Sequence, residues 1–348
     1  MTSLGHDKVI APVARWRRWA GVPHTALLRL AGLLVGLAAG AALLLWSDFW
    51  SALREARAAL PVLPLIAAVQ LGQLLLSALA WRAMLDRAIG PATAFRLRLV
   101  REGVDSLLPV AQVGGEILSV GLLAQRGVPA ALAGAGTALD LLAEAATLPV
   151  VGLAGLGVLW LLGNDVRGNA WVPGLIALSA AAAGGFALAQ RFGLMRLVEV
   201  IARRLPGRLQ VDGLHEALLA RVRDGRAVST ATMLHVAAWS GGMFEVWIAL
   251  RALGHPVGIG AAFVIESIGM LGRGAGFAVP GSLGVQEGGF IAGAALCGLG
   301  PEAALALSAL KRVREVAVGA LGLALWQRGR RMPGRSGLGI VSADRDRA

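Results

Sequence analysis

Cysteine is almost absent from this chain, and the familiar signatures of catalysis are missing. Cys297 is the only cysteine among 348 residues, which excludes an intramolecular disulfide and a cysteine metal cluster. Neither a nucleophile motif nor a P-loop occurs. His235 and His255 lack the spaced acidic or histidine companions that a metal site needs. We therefore expect no metal, no cofactor, no enzymatic activity and no ATP-driven step.

Hydrophobic residues dominate what is present. They make up 56% of the chain, and the mean hydropathy is +0.68, as is typical of a polytopic membrane protein. Lysine and arginine total 33 against 21 acidic residues, and the net charge of +12 lies largely at the two ends and in a mid-chain loop. Such an excess sets membrane orientation and attracts anionic lipid. Nucleic acid is not an expected partner, because no basic soluble domain is present to bind it.

Six apolar runs are long enough to cross a bilayer. They cover about 28–46, 61–81, 130–162, 171–190, 231–251 and 303–326. Arginine-rich segments mark the cytoplasmic side. They assign four segments to the cytoplasm: the N-terminus 1–27, the loop 82–101, the amphipathic loop 191–230 and a tail, 328–348, that we predict to be disordered. Both termini are thus predicted to be cytoplasmic, and 47–60 and 163–170 to lie outside.

Two further apolar segments are broken by glycine and proline, and each begins and ends on one side of the membrane. The first, 103–124, has cytoplasmic flanks, and the second, 258–300, has outer flanks. Irregular backbone survives at membrane depth only where protein or water surrounds it, so we predict two re-entrant hairpins. A surface amphipathic helix is the alternative for the first segment, and a pair of full spans for the second. The predicted breaks are Pro109, Gly114, Gly115, Pro280, Gly281 and Gly284.

The two hairpin regions align with each other at an offset of 171 residues. Nine of 36 positions are identical, and the informative ones are Pro109 with Pro280, Glu116 with Glu287, Gly127 with Gly298 and Glu144 with Glu315. Paired, interrupted segments in two halves point to a transporter's binding site. We predict an all-α polytopic membrane protein with about six to eight transmembrane helices and two re-entrant hairpins in an inverted repeat. Its single membrane domain covers 28–327, with repeat halves at about 61–162 and 232–327.

Charged side chains inside these apolar segments form the candidate site, since bare charge is costly at membrane depth. The candidates for substrate binding or translocation are Glu116, Asp140, Glu144, Glu266, Arg273, Glu287, Lys311, Arg312, Arg314 and Glu315. Guanidinium groups suit a lipid phosphate or another anionic head group, and internal ion pairing is the alternative. Glu116 and Glu287 follow the two breaks, as hairpin anchors or as acids linked to a proton.

A specific pairing follows from the repeat. Asp140 and Glu144 share one helical face, so these two like charges need a basic partner or a proton. Asp140 also occupies the repeat position of Lys311, with the opposite charge. We therefore predict that Asp140 and Glu144 face Lys311, Arg312 and Arg314 and that together they line one polar cavity. The alternative is that Lys311 pairs with the glutamate four residues later on its own helix.

Two motifs carry a resemblance to a known family. The run from Pro280 to Phe290 reads PGSLGVQEGGF, and the run from Leu310 to Glu315 reads LKRVRE. They resemble the transmembrane part of lysylphosphatidylglycerol synthases and their flippase-like relatives, most of all the hopanoid-biosynthesis-associated integral membrane proteins. The likeness covers about 28–327 and implies a bacterial inner-membrane protein that translocates lipid. The synthases carry a large soluble aminoacyl-transferase domain after the membrane part, and we expect this chain to lack that activity.

Lipid translocation is therefore the leading hypothesis, in the handling of hopanoids or aminoacyl-phospholipids. Its expected partners are membrane lipids of anionic or hopanoid type. One alternative is a membrane-embedded enzyme that acts on an isoprenoid or hopanoid head group. Another is a non-catalytic scaffold for a lipid biosynthetic complex. A scaffold would tolerate neutralisation of the buried charges, whereas a transporter would not.

The predicted topology is testable by labelling single cysteines. In a Cys297→Ala background, cysteine replaces Arg87, Arg208 or Asp165 in turn. An impermeant thiol reagent added from outside is expected to label only the variant at Asp165, because the arginine-rich loops face the cytoplasm. Labelling of all three variants from the same side would refute the assignment.

Overall fold

The computed structural model describes residues 49–107, 114–163, 213–275 and 284–330. In these ranges the chain forms ten α-helices, one short 3-10 helix at Leu60–Val62 and no strand. The α-helices are α1 Phe49–Ala58, α2 Leu63–Met84, α3 Pro91–Leu107, α4 Gly114–Ala124, α5 Ala130–Leu161, α6 Leu214–Arg223, α7 Gly225–Ala252, α8 Ile259–Ala275, α9 Val285–Leu296 and α10 Pro301–Arg330. The predicted all-α class is confirmed.

Several sequence predictions fall outside the described residues. They concern the spans 28–46 and 171–190, the breaks Pro109, Pro280 and Gly281, the segment 1–27, most of the tail 328–348, the outer loop 163–170 beyond its first residue, and the loop 191–230 before 213. The last part of that loop forms α6, which carries Glu216 in its first turn and two arginines in its last turn.

Three stretches of the described chain are long and apolar enough to cross a membrane. They are Leu60–Met84, Ala130–Leu161 and Gly225–Ala252, and they match the predicted spans 61–81, 130–162 and 231–251. The helix α10 has 30 residues, a length of about 45 Å, and covers the predicted span 303–326. Its middle carries four consecutive or nearly consecutive charges, so it needs protein rather than lipid around it.

The two interrupted segments form pairs of short helices that pack against each other, α3 with α4 and α8 with α9. In the second pair Gly269 lies against Phe290 and Gly293 against Ile265, so the two helices run antiparallel. The second arms have only 11 and 12 residues, about 16–18 Å, which is well short of a hydrocarbon core of about 30 Å. These lengths favour re-entrant hairpins over full spans.

The helices follow the 171-residue offset. It carries α2 onto α7, α3 onto α8, α4 onto α9 and α5 onto α10. Contacts between helices follow the same exchange: α3 packs against α10 as α8 packs against α5, and α2 packs against its own counterpart α7. Gly127 and Gly298 also correspond in conformation, with φ of +84° and +79° after α4 and α9, where a left-handed residue ends each hairpin.

The repeat is inverted, because helices that the offset exchanges run in opposite directions. Along α2 and α7, Met84 belongs to the same core cluster as Ala231, whereas Ile66, nearer the start of α2, belongs to the cluster of Leu250. Between these two levels Gln73 lies against Gly241. A two-fold axis that relates such antiparallel helices is perpendicular to them. For spanning helices, that axis lies in the membrane plane.

Small residues allow helices of the two halves to approach closely, and this packing is testable. A Cβ added at Gly322 of α10 would meet the backbone of Leu99 in α3, whereas a Cβ at the exposed Gly157 of α5 meets nothing within 4 Å. We expect Gly322→Ala to lower the unfolding temperature, because overpacking costs about 1–3 kcal/mol. Gly157→Ala, the control, should hold or raise it, because alanine favours a helix. Equal unfolding temperatures for the two variants, measured in the same detergent, would contradict the packing of α3 against α10.

Candidate functional site

The first cluster of buried charge lies between α3, α4, α5 and α7. Its members are Arg98, Arg101, Asp105, Glu116, Asp140, Glu144 and His235. Arg98 bridges the two acids of α5, with Nη1 3.3 Å from Asp140 Oδ2 and Nη2 2.6 Å from Glu144 Oε1. His235 places Nε2 2.9 Å from the other oxygen of Asp140, and both side chains are fully buried. Asp140 is thus compensated without any residue of α10.

Arg101 connects the first hairpin to the long helix α5. Its Nη2 lies 2.6 Å from Glu116 Oε1 on α4 and 3.4 Å from Glu144 Oε2 on α5. Its Nη1 lies 3.4 Å from Asp140 Oδ2. The guanidinium of Arg101, on α3, therefore contacts acids on both α4 and α5. Its pair with Glu116 holds α4 against α3, as a hairpin anchor would.

Gly115 has a packing role at the start of the second hairpin arm. Its backbone N–H donates to Asp105 Oδ1 at 2.8 Å. A Cβ at this position would meet the carboxylate of Asp105 and the side chain of Arg101. The absence of a side chain lets these charged groups close over the helix start. Gly114, its neighbour, is the first residue of α4.

The second cluster lies between α7, α8, α9 and α10. Its members are Glu245, Glu266, Arg273, Glu287, Lys311, Arg312, Arg314 and Glu315. In its inner part Lys311 Nζ donates to Glu266 Oε2 at 2.7 Å and lies 3.5 Å from Glu245 Oε2. Arg314 Nε lies 2.8 Å from Glu245 Oε1, at ion-pair distance but without the alignment of a hydrogen bond. All four side chains are almost completely buried.

The outer part of the second cluster is only partly buried. Arg273 Nη1 donates to Glu315 Oε1 at 2.7 Å, and Arg312 Nη1 donates to Glu315 Oε2 at 3.0 Å. Arg312 also donates from Nη2 to Glu287 Oε1 at 2.9 Å. The side chains of Arg273 and Arg312 are 33% and 26% exposed. Two guanidiniums that share one carboxylate are therefore within reach of a ligand.

Glu287 anchors the second hairpin as Glu116 anchors the first. Its Oε2 accepts the backbone N–H of Gly284 at 2.7 Å, at the start of α9, where Gly284 has φ of +80°. Its other oxygen meets Arg312 of α10. The predicted role of both glutamates as hairpin anchors thus has a geometric basis, and Gly284, which was predicted as a break, lies directly before α9.

The predicted cavity shared by Asp140, Glu144, Lys311, Arg312 and Arg314 is wrong. The acids of α5 bind the arginines of α3, and the bases of α10 bind glutamates of α7, α8 and α9. The physical reason is the packing: α5 lies against α8 and α10 against α3, so the repeat places the two groups in separate clusters. The alternative pairing of Lys311 along its own helix does not occur either, since Lys311 binds Glu245 and Glu266.

The structure adds five site residues that sequence reasoning did not select, and Asp105, which binds Arg101, is one of them. Arg98 and Arg101 were counted as cytoplasmic markers at the end of a basic loop, but each is about 95% buried. His235 was set aside because it lacked companions in the sequence, and Glu245 was not selected, but α7 gives one of them to each cluster. A signal was present, because Arg98 and Arg101 stand one helical turn apart in an apolar stretch.

Three side chains of the first cluster could in principle offer ligands to a metal ion. One atom each from Asp140, Glu144 and His235 lies within 4.8 Å of the others. The guanidiniums of Arg98 and Arg101 already occupy oxygens of both carboxylates. A divalent ion would sit beside these two fixed positive charges, so the donor set fits a resident metal poorly.

These observations define a class: an all-α membrane protein with an inverted repeat, in which an ion pair holds a short hairpin in each half. Residues 29–322 match the family model of the lysylphosphatidylglycerol synthase TM region. The chain therefore belongs to that family, and it is a membrane protein with a lipid-related function. No curated protein and no solved structure gives a significant match to it.

The inner ion pair of the second cluster is open to a test by paired substitution. Lys311→Met leaves Glu266 buried without its partner, and breaking such a pair costs about 3–5 kcal/mol. We expect a strong fall in unfolding temperature. Lys311→Met combined with Glu266→Leu should recover most of it, because Glu245 retains Arg314. If the double variant is less stable than Lys311→Met alone, the pairing described here is incorrect.

Proposed function

We propose that this protein moves lipid between the two leaflets of the membrane, without ATP, and that the outer part of the second cluster receives the lipid head group. The observation that carries the proposal is the partly exposed pair Arg273 and Arg312, which share the carboxylate of Glu315. Guanidinium forks match the oxygens of a phosphate in the same way that they match a carboxylate.

The arrangement supplies a way to bind and release. An arriving phosphate competes with Glu315 for both arginines, and Glu315 takes them back when the lipid leaves. The arginines are therefore never left bare at membrane depth, where an unpaired charge costs about 2.5–3.5 kcal/mol on insertion scales. The inner pairs of Lys311 and Arg314 stay buried and hold the helices that present the site.

The lipid class follows from the same chemistry. An anionic phospholipid offers the phosphate, and the family membership makes aminoacyl-phosphatidylglycerol a natural candidate. A hopanoid is the second candidate, on the resemblance of the PGSLGVQEGGF motif. The bacterial inner membrane, with both termini in the cytoplasm, is the location that fits these lipids and the arginine distribution.

Two other functions remain as competitors. An enzyme on a lipid head group would need a nucleophile or a metal next to the exposed arginines, and the described part of the chain places only carboxylates and Ser308 there. A scaffold would require the buried ion pairs for stability alone. Neutral variants of Arg273 and Arg312 separate a scaffold from a transporter.

Reconstitution into liposomes tests the proposal. Labelled phosphatidylglycerol, lysylphosphatidylglycerol and a hopanoid are placed in one leaflet, and exchange is followed with an impermeant quencher. We expect exchange of at least one lipid above protein-free liposomes. Arg273→Gln and Arg312→Gln should each reduce the rate about tenfold or more, since hydrogen bonds to charged groups contribute about 1.5–3 kcal/mol.

The matched control is Arg96→Gln, an exposed arginine on α3. It should keep the wild-type rate, which separates a local effect from loss of surface charge. Size-exclusion profiles and unfolding temperatures establish that each variant is folded. If Arg273→Gln and Arg312→Gln both keep the wild-type exchange rate, the proposed head-group site is wrong. If the wild type exchanges none of the lipids, the proposed function is wrong.

A further inference from the structure

The two clusters differ in their balance of charge. The second cluster holds four glutamates against Arg273, Lys311, Arg312 and Arg314, so it is neutral. Among the described residues, the first cluster holds four carboxylates against two guanidiniums, those of Arg98 and Arg101. Even if His235 were protonated on both ring nitrogens and so carried a positive charge, the first cluster would keep a net charge of −1.

The difference originates at one repeat position. Asp140 stands where the second half has Lys311, and this exchange alone accounts for two units of charge. Asp140 is fully buried, and the cluster lies about 15 Å along α5 from its first residue. Uncompensated charge at that depth costs about 2.5–3.5 kcal/mol per group on insertion scales. A mobile positive charge is therefore the missing component.

Unpartnered atoms in the first cluster show where such a charge could bind. Glu116 is 92% buried and turns its carboxylate to Arg101 through Oε1, yet Oε2 has no hydrogen-bond partner among the described residues. His235 is completely buried, and its Nδ1 also lacks a partner within that part of the chain. Both atoms have a lone pair available for a small cation. Buried polar atoms are normally satisfied, so these exceptions call for an occupant.

We infer that the first cluster is a binding site for one small monovalent cation, a proton or a sodium ion. Size and charge select this class. The burial of Glu116 and His235 disfavours a bulky organic cation, and two fixed guanidiniums oppose a divalent ion. A proton adds to a lone pair of Glu116 or His235, whereas a sodium ion is held by carboxylate oxygens.

The charged groups around the two acceptors are all named by their contacts. Glu116 faces Arg101 and Asp105 on α3, and His235 faces Asp140 on α5. Arg98 and Glu144 complete the surroundings. Cation binding would thus change the net charge of the cluster that lies between α4, α5 and α7. Its use to drive lipid movement rests on the proposed function, but the binding itself does not.

Unfolding of the purified full-length chain in detergent tests the binding without any lipid transport. The unfolding temperature is compared in sodium chloride and in choline chloride of equal ionic strength, and, without sodium, from about pH 6 to about pH 8. A ligand that binds only the folded state raises it. If sodium is the ligand, we expect the unfolding temperature to be about 2 °C or more higher in sodium chloride than in choline chloride. If the proton is the ligand, we expect a rise of similar size at the lower pH.

Glu116→Gln is the key variant, because it removes the charge and keeps an oxygen for Arg101. Asp140→Asn is a second variant at an independent position. Both should lose the response. The matched control, Glu287→Gln, changes the corresponding glutamate of the neutral cluster and should keep it, as should Glu216→Gln on exposed α6.

The outcomes are distinct. A response to sodium that Glu116→Gln abolishes supports a sodium site, and a response to pH alone that it abolishes supports a proton site. No response of the wild type, or the same response in wild type and both cluster variants, overturns the inference. Failure of lipid exchange in liposomes would leave this result unaffected.

Discussion

The structure depends on one constraint, the ion pairing of the charged side chains that hold each hairpin to its neighbouring helix. Each re-entrant hairpin ends too early to be held by spanning alone. Arg101 with Glu116 holds the first hairpin, and Arg312 with Glu287 holds the second. Such pairs are weak evidence for stability in themselves, since desolvation offsets much of the attraction. Their value is geometric, because a buried charge accepts only an arrangement that brings its partner within reach.

The inverted repeat determines which helices of the two halves pack against each other. The first arm of each hairpin packs against the long last helix of the other half, α3 against α10 and α8 against α5. The two halves also interact electrostatically. The carboxylate of Glu102 on α3 attracts the guanidinium of Arg273 on α8, which occupies the corresponding repeat position. Each hairpin therefore packs partly against the opposite half. A head group that moves Arg273 would also act on α3, which carries Arg98 and Arg101 of the first cluster.

Much of this architecture was predictable from the sequence, because hydrophobic run length and glycine and proline breaks report directly on helices and hairpins. The 171-residue offset placed Glu116, Glu287 and both turn glycines in register before any coordinates. Partner choice was not predictable in the same way. Arginine counting treats every arginine as a loop marker, so it assigned Arg98 and Arg101 to the cytoplasm. A buried arginine differs from a loop arginine only in its acidic partners. Arg98 and Arg101 pair with Glu144 and Glu116, which lie 46 and 15 residues away along the chain.

The failed pairing of Asp140 with Lys311 also follows from symmetry. Two positions exchanged by a two-fold axis meet only if they lie on that axis. The central pair of helices, α2 and α7, occupies that place, while α5 and α10 each pack against a hairpin of the opposite half. The charge exchange between Asp140 and Lys311 therefore cannot neutralise itself. It makes two separate sites of unlike charge from one repeated fold, so one half can offer arginines to an anion while the other is left acidic.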